Sequence, residues 1–221
     1  MKINRGLKIT LLLLAIAWLL KIIEWSLEVN LYHLGIYPRN RLGFFGIFFS
    51  PFIHGGLKHI ISNSFSFCIL CFSLYLFIPK IASKVLIQLT LISGCMVWFF
   101  ARPSFHIGAS GVIYGIASFL FFLGIFQKNP GSLIISLCIA VLYQGMLTGL
   151  IPNEQGVSWE SHLSGSIAGL VLAYYYKNIE TEFSQKKEIK IEDDFSFEGY
   201  RNIENKAFIY KYSDNNKRVK E

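Results

Sequence analysis

Charge is what this sequence has least of. Asp, Glu, Lys and Arg make up 16% of its 221 residues, against about 25% in an ordinary soluble domain, while 53% are hydrophobic. That shortage excludes a soluble globular domain and leaves a membrane protein. Acids are scarcest where the chain is most apolar: residues 1 to 178 hold four Asp or Glu against twelve Lys or Arg, whereas residues 179 to 221 hold ten against nine. The net charge of +7 therefore belongs to the apolar part, where it reads as membrane orientation and not as nucleic-acid binding. Cysteine is sparse as well. Cys68, Cys71, Cys95 and Cys138 all fall inside apolar runs. Although the first two form a C-x-x-C, thiols in such surroundings are small packing residues, which sets aside metal or redox chemistry there.

What the sequence does have is apolar runs of about 20 residues, the length that crosses a hydrocarbon core of about 30 Å. Six are present, at 7 to 27, 57 to 78, 82 to 101, 110 to 127, 132 to 150 and 160 to 177. Turn residues separate them: Pro79-Lys80, Arg102-Pro103, Asn129-Pro130-Gly131 and Ile151-Pro152-Asn153. Lys2, Arg5 and Lys8 precede the first run, Lys80 and Lys84 mark the second break, and Lys128 follows the fourth run. The positive-inside rule makes those places cytoplasmic, so both termini lie inside and the loops at 28 to 56, 102 to 109 and 151 to 159 lie outside. Arg39, Arg41 and Arg102 oppose that count without reversing it. The expected fold is an all-α bundle of six spans over residues 1 to 178, followed by a polar, flexible cytoplasmic tail over 179 to 221. A cleavable signal peptide is the rival reading of the first run. Ala15-Ile16-Ala17 lies inside that run, however, and five further spans follow. The FSFEGYRNIENKAFIYKY stretch of the tail has the look of a docking motif but reads as ordinary polar tail.

Polar residues inside apolar spans are costly and mark functional sites by default. Lys21 and Glu24 of the first span are expected to snorkel toward the outer interface. The others gather in three places: HGGLKHIISNS with His54, His59 and Asn63; GASGVIY with Ser110 and Tyr114; and SWESHLSGSIAG with His162. The topology brings all three to one side of the membrane. His59 and Asn63 are four apart and share a helical face, whereas His54 precedes Gly55-Gly56 and belongs to the turn leading into the second span. His33 and His106 read as interfacial or packing residues.

A lone serine near a helix end is usually structural; Ser110 has company. It stands where a loop becomes the fourth span, so its N–H is among the unpaired donors of a helix N-terminus. That N–H is half an oxyanion hole, to which His59 and Asn63 can add donors. His162 is the candidate base, a neutral imidazole able to take the Ser110 proton and return it to a leaving amine. Gly111 and Gly115 face Ser161, Gly165 and Gly169 in small-xxx-small spacing, which lets the fourth and sixth spans approach closely. Tyr114, one turn from Ser110, is placed to pack on the His162 ring. No triad acid is evident. The apolar part has only Glu24, Glu28, Glu154 and Glu160, and Glu160 lies two residues from His162 on another face, so a Ser/His dyad is the economical reading.

These residues resemble the rhomboid intramembrane serine proteases. His54-Gly-Gly-Leu-Lys-His59-Ile-Ile-Ser-Asn63 is similar to the family's H-x4-H-x3-N, Gly108-Ala-Ser110-Gly111 with Tyr114 to its G-x-S-G-x-x-Y, and His162-Leu-Ser-Gly165-Ser-Ile-Ala-Gly169 to its H-x-x-G-x-x-x-G. The resemblance covers residues 7 to 178. It implies Ser110 as nucleophile, His162 as base, and an oxyanion hole of His59, Asn63 and the Ser110 N–H, with His54 supporting the outer loop. It further implies membrane-anchored protein substrates cut near the outer surface, a surrounding of membrane lipid, and neither cofactor nor metal. A lateral path beside the fifth span, with its Gly145 and Gly149, is also implied. One departure stands out: where many members carry Trp-Arg, this chain has Phe45-Gly46. Arg39 and Arg41 are therefore expected to anchor the first outer loop differently. A bacterial plasma membrane is the expected location, with the site opening away from the cytoplasm; substrate identity and oligomeric state are not encoded in any motif.

Three other functions compete. A metal site built from His54, His59, His106 and His162 lacks an H-E-x-x-H motif and adjacent carboxylates, and leaves the serine unexplained. A non-catalytic membrane chaperone of the same fold, binding client transmembrane helices, would be expected to lack the serine or the histidine. A small-solute transporter needs a continuous polar path, and Ser118, Gln88, Ser136 and Gln144 are too scattered to trace one.

Overall fold

The computed structural model describes residues 2–128, 130–152 and 158–181. Among the described residues seven α-helices run in the order α1 Lys2–Leu27, α2 Arg41–Phe49, α3 Leu57–Phe77, α4 Ala82–Phe100, α5 Ser110–Gln127, α6 Pro130–Leu142 and α7 Trp159–Tyr175, with 3₁₀ turns at Tyr32–Leu34, Ser50–Phe52 and Gln144–Leu150. Among the described residues there is no β-strand, only an antiparallel bridge between Ile36 and His106. The expected polar tail falls, from residue 182 onward, outside the described residues, as does Glu154.

Four helices, α1, α3, α4 and α5, are long and apolar enough to cross a membrane. The expected fifth span is broken: α6 and the following 3₁₀ turn meet at 64° and reach that length only as a bent pair. The turn after Tyr143 brings Gly145 and Gly149 into a tight 3₁₀ coil that no apolar run would foretell. The expected sixth span, α7, has 17 residues, at the lower edge of what crosses hydrocarbon.

α5 is the centre of the bundle. Ile116 and Phe119 on it are fully buried, and α7, α6, α4 and α3 pack around it with Leu70, Leu74, Val85, Leu89 and Ala168. The helix that faces protein on most sides has the highest share of buried positions, while Leu11, Leu12, Leu19, Ile87 and Val171 point outward from the others as a hydrocarbon solvent requires.

The loop expected at 28 to 56 contains a helix instead. Asn40 caps α2, its side chain accepting from Leu42 and Gly43 N–H groups. Leu42, Phe45, Phe48 and Phe49 are exposed on it, an apolar surface outside the expected spans. At nine residues, apolar on all sides, it offers no periodic stripe from which to read a helix. Gly46 explains the departure from Trp-Arg: a Cβ there would strike the Gly35 carbonyl and lie 2.5 Å from Ile36 N, so the backbones touch and no side chain fits. Arg39 supplies the anchor, donating from Nη1 to the Phe99 and Ala101 carbonyls at 3.1 and 2.9 Å at the end of α4.

Lys21 and Glu24 are corrected. Both are buried and do not snorkel: Lys21 Nζ donates to Glu24 Oε2 and to the His54 carbonyl, each at 2.9 Å, and Glu24 Oε1 accepts from Leu31 N–H at 2.8 Å. The end of α1 is covered by two connecting segments whose backbone groups need partners, and the ion pair supplies them.

Candidate active site

The nucleophile position is built by a loop and a helix start. Gly108, two residues before Ser110, has φ +105°, a conformation that glycine adopts without the steric penalty of a side chain. Its N–H donates to the Ser50 carbonyl at 2.8 Å. A Cβ on Gly108 would lie 2.8 Å from His59 Nε2 and 3.3 Å from Asn63 Nδ2, so both α3 side chains close on this backbone. Ser110 then opens α5, half-buried, with no hydroxyl partner among the described residues.

Asn63 is 8% exposed, and its Nδ2 has no hydrogen-bond partner among the described residues. A buried donor left open costs roughly 1–3 kcal/mol, so it marks either strain or a place kept for an acceptor. His54 packs on His59, the ring centroids 5.0 Å apart in a T-shaped pair. Its Nδ1 lies 3.3 Å from the Phe52 carbonyl, which can only accept, and its Nε2 is buried without a partner among the described residues.

α7 carries the imidazole. Ser158 caps it, accepting from Ser161 N–H at 3.3 Å, and His162 follows within the first turn. The His162 ring lies flat on Tyr114, with centroids 4.1 Å apart and planes 4° from parallel. His162 Nδ1 is 2.9 Å from the Gly149 carbonyl. Since a carbonyl accepts only, Nδ1 holds the proton and Nε2 keeps a free lone pair. Tyr114 donates its hydroxyl to the Met146 carbonyl at 2.8 Å, so the Gln144–Leu150 turn fixes both rings. The sequence reading missed these two carbonyls because backbone acceptors leave no residue signature; only the small Gly149 hints at a close approach. Glu160 takes no part in holding the ring: its Oε1 lies 3.4 Å from Arg102 Nε.

Glycines bring α5 and α7 together. A Cβ on Gly165 would strike the Gly111 carbonyl oxygen, one on Gly169 would lie 2.8 Å from Phe119 N, and one on Gly111 would sit 3.2 Å from the Ser161 carbonyl oxygen. His54, His59, Asn63, Gly108, Ser110, Gly111, Tyr114, His162 and Gly165 thus gather at one end of the bundle, and Gly169 continues the close helix contact toward its middle. Among the described residues no three His, Cys, Asp or Glu side chains converge where a metal ion could sit. Ser118, Gln88 and Ser136 are each hydrogen-bonded within the helix packing, to the Ser166 carbonyl, Tyr176 and the Phe121 carbonyl.

Burial first and then the neighbouring His59 push the His54 imidazole down to about 4 from its ordinary 6.5; the Phe52 hydrogen bond opposes them, Lys21 adds a smaller downward effect, and Glu24 a still smaller upward one. The unfolded chain then binds a proton between those values that the folded chain refuses, so stability is fully present above pH 6.5 and falls as pH drops toward 4. The full effect is on the order of 3 kcal/mol. Denaturant unfolding in detergent micelles at pH 7 and pH 4.5 should show a loss that is markedly smaller in His54→Gln; an identical loss in both chains would exclude His54 as its source.

The sequence model of the Rhomboid domain matches residues 41–179, which leaves α1 outside the match. An uncharacterized protein of Mycobacterium tuberculosis is 32% identical over 157 residues, 67% of this chain and 64% of the relative. A Mycobacterium leprae protein, also uncharacterized, is 29% identical over 184 residues, 79% of this chain and 73% of its own. A protein of Acanthamoeba polyphaga mimivirus whose name includes the word rhomboid is 32% identical over 126 residues, 54% of this chain and 68% of that one. The chain thus spans just under two thirds of the Mycobacterium tuberculosis relative it matches. A domain match across most of a helical chain, over the segment that gathers these three motifs, has one meaning: the chain belongs to the rhomboid family.

Proposed function

We propose that this chain is an intramembrane serine protease that hydrolyses peptide bonds of membrane-anchored proteins with a Ser110/His162 dyad. The observation that carries the reading is the imidazole of His162, clamped between the Tyr114 ring and the Gly149 carbonyl with Nε2 left open, on the helix packed directly against the one that starts at Ser110.

In the mechanism, His162 Nε2 takes the proton of the Ser110 hydroxyl as Oγ bonds to the carbonyl carbon of the scissile peptide. The negative charge that forms on the peptide oxygen is met by the Ser110 N–H, Asn63 Nδ2 and His59. Collapse breaks the C–N bond, and His162 gives its proton to the leaving amine. Water then attacks the acyl-Ser110 ester with His162 again as base, which frees the acid and restores the hydroxyl. No carboxylate is needed, because a backbone carbonyl holds the imidazole tautomer.

The same reading takes the chain as six spans in residues 1 to 178, α7 and the bent α6 pair included, with a cytoplasmic tail over 179 to 221. The placement of Lys and Arg supports both termini inside and the site outside, and a bacterial plasma membrane is the proposed setting. The test is labelling of the reconstituted protein with a fluorophosphonate probe and mapping of the adduct. An adduct on Ser110, absent from Ser110→Ala and His162→Ala, is expected. A folded protein that takes no adduct moves the chain to the client-binding, non-catalytic reading.

A further inference from the structure

His106 belongs to none of the three motifs, yet it is among the most enclosed polar residues of the molecule, 2% exposed and bonded at every polar atom. Its backbone pairs both ways with Ile36, N–H to carbonyl at 2.8 Å and carbonyl to N–H at 3.0 Å. Its Nε2 is 3.1 Å from the Arg102 carbonyl, and its Nδ1 is 2.6 Å from Ser158 Oγ. The carbonyl can only accept, so Nε2 carries the proton and Nδ1 is the acceptor. Ser158 must then donate its hydroxyl to His106, and at 2.7 Å it accepts the hydroxyl proton of Ser161 in turn. The proton order along His106, Ser158 and Ser161 is therefore fixed in one direction.

The positions of the two partners give this link its meaning. His106 stands four residues before Ser110 on the loop that leads into α5, and Ser158 stands four residues before His162 as the cap of α7. Ser158 also accepts the His162 N–H at its carbonyl, 3.3 Å away. The short contact between His106 and Ser158 thus joins the segment that delivers the nucleophile to the segment that delivers the base. The glycine faces of α5 and α7 fix how close the helices come, and the Ser118 hydroxyl bonds the Ser166 carbonyl farther along the seam; the His106–Ser158 contact ties the seam at the end that carries Ser110 and His162. Arg102 and Glu160 pair across the same gap at a looser 3.4 Å, with the Arg102 side chain half exposed.

We propose that His106 is a positioning residue for the Ser110/His162 reaction: through Ser158 it sets the register of α7 against the start of α5, and hence the distance between hydroxyl and imidazole. It touches neither substrate nor the reacting atoms. The inference rests on the protease reading for its catalytic meaning, but the register itself is a structural property.

Two measurements on the full chain in lipid vesicles decide it. In the first, the rate of fluorophosphonate labelling of Ser110 is compared with the melting temperature. His106→Phe keeps ring bulk and loses both side-chain bonds, and should slow labelling at least tenfold with a small change in melting. Ser158→Ala should slow it by a similar factor, and the double variant should be no slower, because the two residues form one link. His106→Gln, which can donate to Arg102 and accept from Ser158, should recover most of the rate. In the second, Ser110→Cys/His162→Cys is oxidised and disulfide formation is followed; adding His106→Phe should slow it severalfold. Native labelling speed in folded His106→Phe, or a slowdown that His106→Gln does not relieve, would overturn the proposal. Absence of labelling in the native chain would sink the protease reading instead, and an unchanged disulfide rate would then still refute the register.

Discussion

Replacement of His162 by alanine is expected to lower cleavage of a membrane-anchored substrate by about 10⁴-fold or more, and the bundle should remain folded. The His162 imidazole keeps an open lone pair on the helix packed against the start of α5, and on the proposed mechanism its loss leaves the Ser110 hydroxyl with no base. Ser110→Ala should cost as much, and the double variant no more than either single one, because nucleophile and base act in one proton transfer. If Asn63 meets the developing oxyanion as proposed, Asn63→Ala removes a single donor from it, and a loss on the order of 10²–10³ in turnover follows from the worth of such donors in other hydrolases. Asn63→Ala also removes a buried unpaired amide, so its melting temperature should hold or rise while turnover falls. That opposition separates a catalytic donor from a packing group. The experiment is steady-state cleavage of a fluorescent transmembrane substrate in proteoliposomes beside thermal unfolding of the same preparations. His162→Ala turnover within tenfold of native would show that the base lies elsewhere.

The parts of this site that are side-chain chemistry could be read from the sequence, and the parts that are backbone could not. Ser110, His162, His59 and Asn63 announce themselves because polar groups are rare in apolar spans, and the helical period alone puts His59 and Asn63 on one face. The Gly149 and Met146 carbonyls, which hold His162 and Tyr114, carry no such mark, since every residue has one. Lys21 and Glu24 show a different limit. Their charge suggested the interface, but burial depends on segments 28 to 34 and 53 to 55 folding over the end of α1, which no local pattern reports. His106 reads from the sequence only as an interfacial or packing ring, because its partner Ser158 lies 52 residues away. Helix α2 escaped for want of a stripe, although its Asn40 cap was in plain sight.

Gly165→Ala is expected to be among the most damaging single-methyl changes in the protein, and the reason lies in what the methyl would meet. At this position a Cβ would be driven into the Gly111 carbonyl oxygen and would lie 2.9 Å from its carbon and 3.2 Å from Gly115 N. All three are main-chain atoms of the neighbouring helix, so no rotamer change relieves the clash and the helices must separate. Between helices in lipid there is no water to expel, so close van der Waals contact and hydrogen bonds are what hold them together. Overpacking of this kind costs about 1–3 kcal/mol in soluble cores, and the rigid contact here places Gly165→Ala at or above the top of that range. Activity should fall further than stability, because separation of α5 from α7 also carries His162 away from Ser110. Gly111→Ala meets the Ser161 carbonyl at 3.2 Å and should be milder, while Gly56→Ala, with extended backbone and nothing within 4 Å, should be nearly neutral. Thermal unfolding in micelles, with fluorophosphonate labelling on the same samples, tests the order Gly165, Gly111, Gly56. A Gly165→Ala protein that melts and labels like the native chain would mean that α5 and α7 do not meet through their glycines, and the dyad geometry would lose its foundation.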